Sequence, residues 1–291
     1  MPSRDNQIIH ETAYAKVNLV LEVLRRRNDG YHEVRSVLQT IDLADSLSFV
    51  PGDRIRLLCS TPELQDESNL VIKAVQALRE ATGCKKGAIV RLNKRIPMAM
   101  GLGGGSSDAA ATLRALNRLW GLGLSIAELR KIAGDIGSDV PFFVTGGTAL
   151  VSGRGEQVEP VAAAPPVWMV MLAPPIWMSN KTARLYSLLD ASCYTDGEAT
   201  KRLVQALELG ELESSLLFNC FEKVMQTAFT GIENYVASML DAGASRVHLS
   251  GSGPTLFAIE RDVSRAEAIV DRLNSAGHTA FLQKAVGAYS P

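Results

Sequence analysis

Pro97-Met-Ala-Met-Gly-Leu-Gly-Gly-Gly-Ser-Ser-Asp108 sets four glycines and two serines directly before the alanine-rich helical run Ala109 to Leu119. Glycine reaches positive φ without a Cβ clash and lets backbone approach a ligand closely. The free N–H groups and positive dipole end of the following helix attract an anion. The stretch reads as a phosphate cradle and points to a nucleotide. A Walker A loop is excluded, because no glycine here is followed by Lys and then Ser or Thr. A dinucleotide fingerprint starts well at Gly101 and Gly103 but meets Ser106 where the third glycine belongs, which counts against an NAD-dependent oxidoreductase. The bland alternative is a glycine hinge, with Ser106 or Ser107 capping a helix that starts at Ala109.

The rest of the chain narrows the setting. With 30 Lys+Arg against 31 Asp+Glu, nothing in the net charge of -1 calls for nucleic acid or an anionic membrane, so any anion site is local. Cys59, Cys84, Cys193 and Cys220 lie far apart without a Cys-x-x-Cys pair, which argues against zinc and a disulfide scaffold and suits a reducing cytoplasm. The N-terminus lacks the apolar core of a signal peptide. Val161 to Met178 is uncharged, yet Pro165, Pro166, Pro174 and Pro175 would break a membrane helix, leaving Val167 to Leu172 as a buried strand.

Tyr14 to Leu24 and Val34 to Phe49 read as strands joined at Asp29-Gly30. A helix is expected over Asn69 to Glu80 and ends at Gly83, and a strand over Ala88 to Leu92 feeds the glycine loop. Later helices fall at Ser125 to Ile136, Lys181 to Leu189, Leu212 to Ala228, Ile232 to Ala242 and Ser264 to Ala276, and a second glycine loop runs from Ser250 to Pro254. Strands and helices mix without repeats, so the class is α+β in two lobes, residues 1–158 and 159–291, with a ligand cleft between them.

Three segments in order, Ala13-Tyr-Ala-Lys-Val-Asn-Leu19, Pro97 to Asp108 and Leu249-Ser-Gly-Ser-Gly-Pro-Thr-Leu-Phe257, resemble the three motifs of the GHMP small-molecule kinases. Asp29-Gly-Tyr-His32, Gly101 to Ala110 and Gly137-Ser-Asp-Val-Pro-Phe-Phe143 make the chain similar to the branch that phosphorylates the 2-hydroxyl of a cytidine-diphosphate-linked methylerythritol in the non-mevalonate (MEP) route to isoprenoids. The alternatives are another kinase of this family, acting on mevalonate, homoserine or a sugar, or a nucleotide-binding regulator without catalysis. Ala99 and Met100 depart from the family, which has Gly and Ala there, and Ser138 stands where Ala is usual.

The resemblance implies roles. ATP with Mg²⁺ is expected at Pro97, Met98, Ala99, Met100, Gly101, Leu102, Gly103, Gly104, Gly105, Ser106, Ser107 and Asp108, with Asn69 near the adenine or simply capping its helix. The serine hydroxyls are offered to phosphate or metal, while Asp108, placed in the first helical turn, either holds the metal through water or, the favoured reading, favours the helix dipole. No protein metal site is expected. Asp139 is implied as the base for the acceptor hydroxyl and Lys16 as the ammonium that keeps it ionised, although alone they would pass for a turn former and a snorkelling lysine. Asn18, two residues along the strand, shares the face of Lys16 and can touch substrate. Tyr31 and His32 are implied at the cytidine, and Thr182 and Tyr186 with them, Trp177 being the rival ring. Gly251, Ser252 and Gly253 are expected beside the transferring phosphoryl group.

Overall fold

The computed structural model describes residues 8–289, so the N-terminal stretch read for a leader lies outside the described residues. β1 (Ile9–Arg26) and β2 (His32–Gly52) form a long antiparallel hairpin. Its turn has the expected chemistry: Gly30 takes φ 86° and Asp29 Oδ1 accepts the Tyr31 N–H at 3.1 Å. Then follow β3 (Ile55–Cys59), α1 (Leu70–Thr82), β4 (Gly87–Asn93), α2 (Gly104–Trp120), α3 (Ile126–Ile136), β5 (Thr148–Ser152) and β6 (Gln157–Pro160). The second half holds β7 (Trp168–Leu172), α4 (Lys181–Leu188), α5 (Glu198–Glu208), β8 (Phe218–Asn219), α6 (Met225–Ala228), α7 (Ile232–Asp241), β9 (His248–Leu249), β10 (Leu256–Glu260), α8 (Val263–Ser275) and β11 (Ala280–Lys284).

One seven-stranded sheet runs β3-β4-β2-β1-β8, with β5 on β2 and β6 on β5; a four-stranded antiparallel sheet runs β11-β7-β10-β9. The α+β class in two lobes holds. The expected division after residue 158 falls inside β6, which stays paired with β5, and the first sheet also takes β8 from the second half, so no single chain position separates the two sheets. β1 passes through three cores: Ala13 packs with α1 to α3, Ala15, Val17 and Leu19 pack with Met169, Met171 and Phe257, and Leu21 and Val23 join Phe221 and Leu256. Both faces of its middle are covered, which is why it reads as a near-continuous apolar run.

Two expectations are corrected. The helix after the glycine loop starts at Gly104, not Ala109; its N-cap is Gly103, which also sets aside the alternative of a serine-capped hinge. Leu212 to Ala228 is not one helix but two 3-10 turns, β8 and the short α6. Asn219 breaks it: its Oδ1 accepts the Phe221 N–H at 3.0 Å, and its Nδ2 donates to Leu249 O and Gly251 O, both at 2.8 Å.

Candidate active site

α2 aims its first turn into a cavity of about 700 Å³ lined by Asn69, Lys94, Pro97 to Ser106, Asp108, Lys181, Thr182 and Ser252. At Gly103 (φ +74°) a Cβ would lie 2.7 Å from the Phe143 ring and 3.2 Å from Lys16 Cγ, so no larger residue fits. The Lys16 N–H donates to Leu102 O at 3.0 Å and ties β1 to the loop. Asn69 lines the cavity, but its Oδ1 caps Val71 at 2.9 Å and its Nδ2 donates to Leu64 O at 2.8 Å, so it anchors the wall. Ser106 faces the cavity; Ser107 is buried and its hydroxyl has no partner. Asp108 is not in the first turn of α2 as expected, because the helix begins at Gly104, and its carboxylate is paired. It accepts from Lys94 Nζ at 2.7 Å, and the same ammonium also bonds Asp45. Burial pushes the Asp108 carboxyl up to about 7, opposed by Lys94 and reinforced by Asp45. Burial lowers Lys94 too, but the two carboxylates outweigh it and its pKa ends raised.

Lys16 is buried because both faces of β1 are covered here, and alternation along the strand puts it on the same face as Asn18. Its Nζ donates to Asn18 Oδ1 at 2.6 Å and lies 3.7 Å from Asp139 Oδ2, while Asn18 Nδ2 donates to Ser36 Oγ at 2.8 Å. Burial lowers the Lys16 pKa and Asp139 holds it up in part. Asp139, in the turn after α3, keeps its carboxylate 41% exposed toward a second cavity. At Gly251 a Cβ would lie 2.9 Å from Lys16 Nζ and 3.0 Å from Asn18 Oδ1, so the second loop closes directly over the pair. Gly253 does something else: its missing side chain would strike Leu249 and Phe229, so it packs on the core. Ser252 Oγ and Thr182 Oγ1 share a hydrogen bond of 3.1 Å.

The second cavity, about 780 Å³, is lined by Arg26, Tyr31, His32, Ser138, Asp139, Arg154, Thr182, Ala183, Tyr186 and Tyr194 among others. The ring stacked on Tyr186 is that of His32, at 4.6 Å and 17°, and the Arg154 guanidinium lies 4.9 Å over Tyr31. Burial and then Arg26 lower the His32 pKa, so the ring is neutral at pH 7. Trp177 is 79% exposed and absent from the lining. Thr182 and Ala183 belong to both cavities. Sequence reasoning missed Lys94, Arg154, Lys181 and Asn219, which carry no motif and matter only through contacts distant in the chain.

Two cavities with a shared wall, one lined by a carboxylate that pairs with a lysine packed behind the loop of the other, suit transfer of a small charged group between two bound molecules. The chain belongs to the GHMP kinases: their N-terminal domain matches residues 69–147 and their C-terminal domain residues 203–279. It is 45% identical over 276 residues to 4-diphosphocytidyl-2-C-methyl-D-erythritol kinase of Dehalococcoides mccartyi, covering 94% of this chain and 97% of that one. To the kinase of the same name from Symbiobacterium thermophilum it is 41% identical over 277 residues, covering 92% and 96%. A crystal structure of 4-(cytidine 5'-diphospho)-2C-methyl-D-erythritol kinase superposes with TM-score 0.82 at 32% identity, over 96% of this chain and all (100%) of that one. Homoserine kinase from Cytophaga hutchinsonii shares the fold, with TM-score 0.76 at 20% identity over 99% and 96%. Among the described residues no helix is long and apolar enough to cross a membrane.

Proposed function

We propose that this kinase transfers the γ-phosphoryl group of ATP to the 2-hydroxyl of 4-diphosphocytidyl-2-C-methyl-D-erythritol, in the non-mevalonate route to isoprenoids. One observation carries the reading: the glycine-loop cavity and the Tyr31-His32 cavity share Thr182 and Ala183, and Lys16, packed behind Gly103 of the first, lies 3.7 Å from Asp139, which lines the second. ATP lies with its phosphates on the amides of Gly103 to Ser106, at the positive end of α2. The cytidine takes the Tyr31 side, and a cytidine pocket has no use in a mevalonate or homoserine kinase. Asp139 accepts the hydroxyl proton. Lys16, held by Asn18, orients the Asp139 carboxylate and draws charge from the transferring oxygens. A regulator without catalysis would not need this pair.

Mg²⁺ fits with little help from protein. The hydroxyl of Ser106 and the unpartnered, buried hydroxyl of Ser107 are the oxygens that would hold it, and among the described residues no three His, Cys, Asp or Glu cluster as in a protein cage. When bound, Mg²⁺ neutralises charge on the phosphate oxygens.

The test is ADP release by purified protein offered the cytidyl substrate, mevalonate and homoserine in parallel. Only the first is expected to turn over, and faster release with either of the others overturns the reading. Asp139→Asn is expected to lower kcat by about a hundredfold or more while ATP still binds. Tyr31→Ala is expected to raise the KM for the cytidyl substrate about tenfold through lost base stacking, and an unchanged KM removes the proposed pocket.

A further inference from the structure

Ala99 holds φ 58°, a left-handed conformation that residues other than Gly, Asn and Asp seldom adopt. It sits at the mouth of the glycine loop, where the loop must turn before Gly101 meets the second loop. That meeting is close: a Cβ on Gly101 would come 2.2 Å from Ser250 O and 2.9 Å from Gly253 N. Lys181, the first residue of α4, reaches into this junction. Its Nζ donates to Ala99 O at 2.7 Å and also to Gly253 O, so one ammonium joins both loops. It is only 9% exposed and has no carboxylate partner among the described residues. Two carbonyl oxygens are a modest return for burying a charge, so the contact needs a reason.

We propose that Lys181 is a positioning residue that clamps Ala99 in its left-handed turn and fixes the first glycine loop against the second, so that the α2 amides face the phosphates. Glycine at this position would adopt the same φ without a clamp. The dependence on Lys181 therefore comes from the alanine. Burial, helped by the charge of Lys16, lowers the Lys181 pKa to about 8, consistent with an ammonium held by neutral carbonyls rather than by an acid. The inference rests on the nucleotide reading of the first cavity but not on the identity of the acceptor.

The experiment is a double-mutant cycle read as the Kd for ADP by calorimetry, with no acceptor present and thermal melts as a check on folding. Lys181→Met is expected to weaken ADP about tenfold in the natural chain and by no more than about threefold in an Ala99→Gly background. Lys181→Gln, which keeps two N–H donors without the charge, is expected to lose less than Lys181→Met. Equal losses in both backgrounds, with Gln no better than Met, would mean that Lys181 acts as a phosphate-binding cation, and the clamp falls. If Lys181→Met does not fold, the Gln variant in the two backgrounds carries the same comparison. A natural chain that turns over the cytidyl substrate but shows no coupling overturns the clamp alone, whereas one that binds ADP yet phosphorylates only another acceptor overturns only the substrate assignment.

Discussion

Asp45 and Asp108 share the single ammonium of Lys94, leaving one excess negative charge in a nearly closed site. Asp45 is well served, since its other oxygen accepts the Arg95 N–H at 2.5 Å and the Ile96 N–H at 2.8 Å, while Asp108 Oδ1 has no partner. A carboxyl whose pKa rises on folding, here from 3.8 to about 7, adds to stability below pH 3.8 and loses that contribution as the pH climbs through 7. Asp108→Asn removes the penalty. Relative to the natural chain, the variant is expected to gain on the order of 2 kcal/mol between pH 5 and pH 8, measured by chemical denaturation at both values. A difference that shrinks toward pH 8 contradicts the assignment. Strand alternation puts Lys16 and Asn18 on one face, but only the family resemblance of Ala13 to Leu19 marked Lys16 as more than a snorkelling lysine. Asp108 was misjudged because its partners, Lys94 and Asp45, carry no motif and Asp45 lies on another strand. The same limit hid Lys181, whose contacts are carbonyls of two distant loops.

At the scale of elements, α2 matters most. Its apolar run was legible from Ala109 onward, but the true start was hidden because four glycines suppress any helix propensity while a tertiary contact dictates their conformation. That contact is Gly103, wedged against Phe143 and Lys16. Gly103→Ala adds a left-handed alanine, costing about 1 kcal/mol by itself, and pushes a methyl into the Phe143 ring. The expected outcome is loss of about 2 kcal/mol in stability and a drop of about tenfold or more in kcat/KM for ATP, as the helix mouth shifts from the proposed phosphate site. Gly83→Ala is the control at the far end of α1, also left-handed (φ +70°) but with nothing within 4 Å of the added Cβ. It should lose stability by about 1 kcal/mol and leave kinetics alone. The long β1-β2 hairpin was legible because its turn chemistry is local. The helix expected over Leu212 to Ala228 failed because Asn219 serves the second glycine loop, a demand that no helical periodicity reports.

For the molecule as a whole, the two lobes are joined by more than the cleft. After β11 the chain leaves the second sheet and returns over the first lobe: Val286 N–H donates to Thr40 O at 2.9 Å, Gln39 Nε2 donates to Val286 O at 3.0 Å, and Tyr289 N–H donates to Thr145 O at 3.0 Å. The Tyr289 hydroxyl, pushed up to about 12 by burial and so always a donor at neutral pH, bonds Phe143 O at 2.8 Å, where Arg114 Nη1 also donates at 2.5 Å. Phe143 in turn lies against Gly103, and its N–H donates to Val140 O, next to Asp139. The tail thus braces the turn that presents the proposed base and the ring that sets the glycine loop. Ending the chain after Lys284 removes four of these bonds, each worth about 1 kcal/mol net, so the melting temperature should fall by about 5 °C or more. Tyr289→Phe should lower stability by only about 1 kcal/mol, because Arg114 still satisfies Phe143 O. If the brace also aligns Asp139, kcat of the truncated chain drops well below that of the natural one at a temperature where both are fully folded. Equal kcat values there, despite a lower melting temperature, would make the tail a fastening of the fold with no part in placing the base.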